Sequence, residues 1–373
     1  MTAEPFRIEI DEADIADLRE RLRRTRWPEA ETVADWSQGI PLGYVQELCR
    51  AWAEDYDFGF GARLNAFPQF RDTVDGLGIH FLHVRSPEPG AFPLVLTHGW
   101  PGSVLEFLDV LGPLTDPRAH GGDPCDAFHV VAPSLPGFGW SDKPAEAGWG
   151  VERIARAWDR LMVSLGYERY GAQGGDWGSA VSGALGEVAR ERVAGVHVNM
   201  ASAPSGVFDD PTPEELAAAE ASKEFARTGR GYSGQQATRP QTLGYGLTDS
   251  PAGQAAWIAE KFWAWTDNDG HPEDALSRQQ MLDIISAYWF TASATSSARL
   301  YWESFGAFRR QVTAPSGVSV YPREISRPSR REAELGYLDL RWYEQLPRGG
   351  HFAAMEQPES LVAQIRGFFR LVR

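Results

Sequence analysis

Residues 170–181 read YGAQGGDWGSAV. An apolar run ends in glycines, a helix is predicted to begin, and Asp176 stands at the turn. Gly174, Gly175 and Gly178 surround it in a G-x-D-x-G pattern. That is the aspartate version of the G-x-S-x-G elbow, which exposes a nucleophile at the C-terminal end of a strand. The helix N-terminus beyond it favours negative charge. An aspartate that merely caps a helix has the same local look, so the assignment needs partners.

The chain supplies them in the order nucleophile, acid, histidine. In LPRGGHFAAMEQP, His351 lies in a glycine-rich loop between the last predicted strand and a C-terminal helix; none of the other seven histidines has that setting. In VSVYPREI, Glu324 follows a predicted strand, where the acid that orients such a histidine belongs. The other acid position, after VAGVHVN, holds Asn199, which cannot ionise. LTHGWPGS follows the apolar run FPLVL and has the H-G-x-P form of an oxyanion loop. The backbone N–H groups of Trp100 and of Trp177, the residue after the nucleophile, are expected to converge on one oxygen. His98 is expected to brace this loop.

A serine must lose a proton before it attacks an acyl carbon. An aspartate is already ionised at neutral pH and can displace a leaving group at a saturated carbon. The product is an alkyl ester on Asp176, which water activated by His351 hydrolyses at the carbonyl while the oxyanion loop holds the tetrahedral intermediate. An epoxide oxygen and a halide both suit this scheme. An epoxide needs a proton donor facing the nucleophile, such as a tyrosine hydroxyl; a halide needs only N–H dipoles, which Trp100 and Trp177 could offer.

These groups must be held by a scaffold. Residues 1–75 read as a helical arm, in which Ile15, Leu18 and Leu22 share one helical face and Trp27-Pro28 ends the pattern. The arginine run from 19 to 26 is expected to be that helix's solvated face. From residue 76 to 203 the runs IHFLHV, FPLVLTH, AFHVVAP, RYGAQG and VAGVHVN alternate with helical stretches. The alternation predicts an α/β architecture, a mostly parallel sheet with helices on both faces. Residues 204–308 hold no convincing strand, are rich in aromatics, and read as a helical cap inserted into the core. Strand texture resumes in residues 309–373 with GVSVYP and LDLRWYEQL.

The chain has 373 residues, 43% hydrophobic and 23% charged, enough for a sizeable core. A net charge of −15 argues against a nucleic-acid partner and against anionic membranes. Cys49 and Cys125, without metal spacing, are expected to be buried or semi-buried thiols in a reducing compartment. The opening residues form no signal peptide, and no apolar run reaches the ~18 residues of a membrane span. A soluble, cytoplasmic protein is expected. His80 and His83, three apart on a strand, point to opposite faces and cannot share a metal ion. The glycines after residue 171 lack the G-x-G-x-x-G spacing of a dinucleotide site. No cofactor and no metal are expected.

The whole chain resembles the microsomal-type epoxide hydrolase family. The resemblance is carried by RIEIDEADIADLRERLRRTRWP, HGWPGS, PSLPGFGWSDKP, GAQGGDWGS, GYSGQQATRPQTLGYGLTDSPAGQAAWI, SSARLYWES, YPREI and RGGHFAAMEQP. It implies an α/β-hydrolase fold with the arm wrapping the core, Asp176 as nucleophile, Glu324 as acid and His351 as base. It places the family's two cap tyrosines on Tyr232 and Tyr301, and it implies epoxide and water as the small-molecule partners. A glutamate as the acid is characteristic of this branch. Microsomal members carry an N-terminal membrane anchor that these opening residues do not show, so the resemblance is to soluble bacterial and fungal relatives. The Ala-, Gly- and Arg-rich composition suits a high-GC bacterium, which leaves detoxification and secondary metabolism as settings. A homodimer is compatible with the class.

The aromatic cap implies a pocket for a bulky, aryl or otherwise hydrophobic epoxide, with Trp100, Trp177, Trp289 and Phe352 among its walls. A haloalkane dehalogenase, or a catalytically silent binding protein on the same fold, are the competing readings. A tyrosine pair facing Asp176 counts against both.

Overall fold

Among the residues described by the computed structural model, 3–204 and 208–373, nine strands form a single sheet. In chain order they are β1 Glu4–Pro5, β2 Gln69–Val74, β3 Leu77–Val84, β4 Phe92–Thr97, β5 Phe128–Pro133, β6 Tyr170–Gly174, β7 Val193–Val198, β8 Val312–Val320 and β9 Tyr337–Gln345. Their spatial order is β1-β2-β3-β5-β4-β6-β7-β8-β9. The four at the first edge pair antiparallel, and from β5 onward every pairing is parallel.

Central strands covered on both faces have no solvent side on which to place polar residues, so they read as continuous apolar runs. β6 and β7 are buried at every position. The helix Trp177–Val188, which leaves the end of β6, is rich in glycine, alanine and serine and buried from Trp177 through Gly186. Its small side chains let it lie close to the sheet and against the helix Val151–Ser164.

The arm is not wholly helical. β2 lies within it and joins the core sheet through a two-residue hairpin, Val74 pairing with Leu77 across Asp75-Gly76. Both turn residues have positive φ, 54° and 82°, as a type I′ turn requires. Asp-Gly between alternating residues is itself a hairpin signal. The rest of the arm is helical, with Glu12–Arg23 burying Ile15, Leu18 and Leu22 and ending before Trp27-Pro28. Its arginines are braced by neighbours: Arg19 donates to the Ala53 carbonyl, and Arg21 pairs with Asp17 and Asp249. A second arm helix, Leu42–Glu54, ties down the cap. Trp52 Nε1 donates to Ser286 Oγ at 2.8 Å, and nearby Tyr56 donates to Asp283 at 2.7 Å.

Between residues 208 and 304 the described residues contain helices and no strand. Their starts follow the usual chemistry: Thr212 and Ser277 form capping boxes, and Ser250 precedes Pro251 at the first helical turn. Cys49 is buried, whereas Cys125 is exposed rather than semi-buried. His80 bonds Ser134 and Gln69, while His83 bonds Tyr167. Among the described residues, no helix is long and apolar enough to cross a membrane.

Candidate active site

Adjacent parallel strands β4 and β6 end side by side, and the loops leaving them face each other. One carries His98–Ser103, the other Gly175 and Asp176. Asp176 sits at φ 49°, ψ −129°, a conformation that costs a non-glycine residue roughly 1–3 kcal/mol. Two glycines make it feasible. A Cβ on Gly178 would overlap the Thr97 carbonyl oxygen, and one on Gly99 would overlap the Asp176 carboxylate.

Asp176 precedes the helix Trp177–Val188, yet its side chain makes no capping bond. The carboxylate turns to the other loop, where Oδ1 accepts the Trp100 N–H at 2.8 Å. Trp177 is the first residue of the helix, so its N–H has no intrahelical partner. His98 is committed to bracing: Nε2 accepts from the Leu135 N–H at 3.2 Å, leaving Nδ1–H to donate to the Gly99 carbonyl at 3.0 Å. Burial pushes it down to about 4, so it stays neutral. The Trp100–Pro101 peptide is cis.

His351 reaches the same spot from the loop after β9. Its Nε2 lies 3.4 Å from Asp176 Oδ2, and its Nδ1–H donates to Glu324 Oε1 at 2.8 Å. Glu324, after β8, is fully enclosed, and Oε1 also accepts from the Ile325 N–H at 2.6 Å. Burial works against a charged imidazole, but Glu324 and Asp176 on either side outweigh it and hold His351 well above its ordinary value. The site therefore favours the protonated form of His351, which lies between Glu324 and Asp176.

The cap brings Tyr232 and Tyr301 over Asp176. Tyr232 stacks on Trp100 with centroids 5.1 Å apart, Tyr301 meets Trp177 edge-on at 4.8 Å, and the two tyrosine rings are 5.9 Å apart. Burial, then the Asp176 charge, raises Tyr232; burial, then Tyr232 and Asp176, raises Tyr301. Both hydroxyls remain protonated donors. Lys261 Nζ sits 4.5 Å over the Tyr232 ring.

In front of Asp176 lies a cavity of about 380 Å³, whose walls include Trp177, Phe225, Phe305, Phe308, Tyr232 and Tyr301. A smaller cavity of about 20 Å³, the rear cavity, also borders Asp176 and is lined by Trp100, Glu106, His351 and Phe352. The expected pocket walls thus divide. Trp177 lines the front cavity, and Trp100 and Phe352 line the rear one. Trp289 lines neither: its ring meets Trp52 of the arm edge-on at 6.4 Å and lies under Arg21. Being an aromatic on a cap helix did not say which way that helix faces. Phe225, Phe305 and Phe308 were missed for the same reason, and Glu106 because it reads as an ordinary helix-start carboxylate.

Comparison with known proteins bears on this geometry. Residues 3–107 match the family model described as epoxide hydrolase N terminus, and residues 93–248 the one described as alpha/beta hydrolase fold. A Stigmatella aurantiaca protein named "Putative epoxide hydrolase" is 52% identical, over 99% of this chain and 85% of that protein. Epoxide hydrolase 1 of Oryctolagus cuniculus is 34% identical over 99% of this chain and 89% of its own. The crystal structure of juvenile hormone epoxide hydrolase from Bombyx mori superposes with a TM-score of 0.90 at 31% identity, covering 100% of this chain and 96% of that one.

Proposed function

The chain belongs to the epoxide hydrolase family and is an epoxide hydrolase of the α/β-hydrolase fold, and from that premise we propose that it opens a bulky, largely apolar epoxide through a covalent ester on Asp176. The observation that carries this reading is one carboxylate facing three kinds of partner: a backbone N–H on Oδ1, an imidazole at Oδ2, and two protonated tyrosines across the cavity. The size and aromatic walls of that cavity suit an aryl or other hydrophobic substrate.

In the first step Asp176 Oδ2 bonds to an epoxide carbon and the epoxide C–O bond breaks. The alkoxide takes a proton from the Tyr232–Tyr301 pair. Esterification removes the Asp176 charge, one of the causes holding His351 protonated. The imidazolium then gives up its proton, which restores the tyrosine. In the second step neutral His351, oriented by Glu324, takes one proton from water while the oxygen adds to the ester carbonyl carbon. The Trp100 and Trp177 N–H groups hold the oxyanion. As the intermediate collapses, the remaining water proton leaves with the diol oxygen, and Asp176 and the imidazolium are regenerated.

One experiment tests the order of bonds. In a single turnover in heavy-oxygen water, the label should enter the Asp176 carboxylate and not the first diol, read by mass spectrometry of enzyme and product. Label in that first diol means direct attack by water and removes the ester from the scheme.

A further inference from the structure

Glu106 is an ionisable group that interacts with both Asp176 and His351 and has no part in the scheme above. Glu106 lies in the short helical turn Val104–Phe107 and borders the rear cavity together with Asp176 and His351. We propose that this cavity is the seat of the hydrolytic water and that the Glu106 carboxyl group holds the water there, opposite His351, as a further catalytic residue. The inference rests on the covalent reading just given.

The cavity's volume is about 20 Å³, above the roughly 10–15 Å³ that one water requires, and its borders are polar enough to supply several partners. Among the described residues, Asp176 is the one that lines both this cavity and the front one. That placement matters chemically, because during the second step the front cavity is filled by the alkyl group. Water that has to reach the ester carbonyl then needs a place the substrate does not occupy. Glu106 also borders an outer cleft of about 210 Å³, walled by Arg63, Asp109, Asp283 and Met355, so its carboxyl group stands between that cleft and the catalytic groups.

An attacking water aims one lone pair at the ester carbon and gives one proton to His351. Its second O–H needs an acceptor, and the tetrahedral hydroxyl keeps that need until the diol departs. Glu106 is positioned to meet it. The Ser103 N–H lies close enough to favour the ionised form of the carboxyl group. Its oxygen also fills the space a side chain on Gly102 would claim, since a Cβ at Gly102 would overlap it. Burial and Asp176 push the group up to about 8, against the opposing pull of His351. Facing groups are Asp176 and His351 on the catalytic side and Tyr288 from the cap helix. A neutral carboxyl still accepts through its carbonyl oxygen, and it places no second negative charge beside the nucleophile.

The test separates the two half-reactions with styrene oxide as probe, comparing the wild-type chain with H351Q, E106M and E106Q. E106M keeps the length of the side chain and removes the oxygen acceptors; E106Q keeps a carbonyl. E106M is expected to form the ester within about threefold of the wild-type rate and to hydrolyse it at least roughly tenfold more slowly, so that the adduct accumulates in intact-mass spectra. E106Q should recover hydrolysis to within about threefold. Ester hydrolysis in E106M within about twofold of wild type overturns the proposal. So does a loss shared equally by both steps with a lowered melting temperature, which would mark Glu106 as a helix-start brace only. If H351Q traps no adduct on Asp176, the covalent reading itself has failed; an adduct there with normal E106M turnover sinks the Glu106 role alone. Should E106M not fold, a crystal structure of the wild-type chain decides. Ordered water bonded to both Glu106 and His351 Nε2 is expected, and water bonded to His351 without Glu106 overturns the assignment.

Discussion

On the sheet side of the reaction site the groups are charged and hang from loops at strand ends; on the cap side they are neutral hydroxyls carried on helices. Asp176, Glu324 and His351 are fixed by backbone N–H groups and by one another, whereas Tyr232 and Tyr301 are fixed by ring packing on Trp100 and Trp177. The charge at Asp176 sits opposite donors whose own charge it suppresses, since it helps hold both tyrosines protonated. In the proposed scheme the sheet wall makes and breaks the ester, and the cap wall supplies the proton that makes the leaving group an alcohol.

Removing the sheet wall's nucleophile should have the largest effect. Asp176→Asn is expected to cost roughly 10⁴-fold or more in kcat with the melting temperature unchanged or raised, because the strained carboxylate position no longer carries charge; steady-state diol formation and calorimetry read both. On the cap wall, Tyr232→Phe with Tyr301→Phe should slow ester formation by roughly 10²–10⁴-fold, each single change doing less because either hydroxyl can serve. Alkylation at the wild-type rate in the double variant would remove the cap from the chemistry.

The two walls should also differ with pH. In the proposed scheme ester hydrolysis needs neutral His351, whose folded value is raised by its neighbours Glu324 and Asp176. Its rate should therefore climb with pH, by up to about tenfold per unit, until His351 in the ester form has lost its proton. Ester formation needs protonated tyrosine, and both hydroxyls are raised above the ordinary value of 10.0. Pre-steady-state profiles should show that step still active at pH 10, where a free phenol is half ionised. The smallest expected effect on catalysis is Trp289→Ala. It should leave turnover within about twofold and lower stability by about 2–3 kcal/mol, because the ring joins cap to arm rather than meeting substrate. A shift in epoxide preference in that variant would return Trp289 to the pocket.

The sheet wall was legible in the chain for a local reason. A nucleophile elbow requires glycines within a few positions of Asp176, and an oxyanion loop requires His98-Gly99-Trp100-Pro101 directly after a strand, so each leaves a short pattern. The central parallel strands were legible because burial on both faces makes them largely apolar, but β2 was absorbed into a helical arm although Asp75-Gly76 marked its hairpin. The cap wall left no comparable pattern. Phe225, Phe305 and Phe308 reach the cavity while Trp289 turns to the arm, and nothing in their local sequence distinguishes them. Tyr232 and Tyr301 were singled out through the family resemblance, not through their surroundings.

By itself, then, the sequence determined the local parts of the candidate site: a carboxylate at an elbow, an acid and a histidine in order, and a loop of backbone donors. Those are properties of single turns of chain, and residue types decide them. Only the tertiary structure decided how the groups act on each other. Trp100 and Asp176 are 76 residues apart, and Glu324 and His351 are 27 apart, yet each pair is in hydrogen-bond contact. Placing His351 between two carboxylates, keeping the tyrosines protonated and setting Glu106 against a water-sized cavity all depend on distance and on exclusion of solvent. Coulomb and desolvation energies vary with both, and neither is written in local spacing.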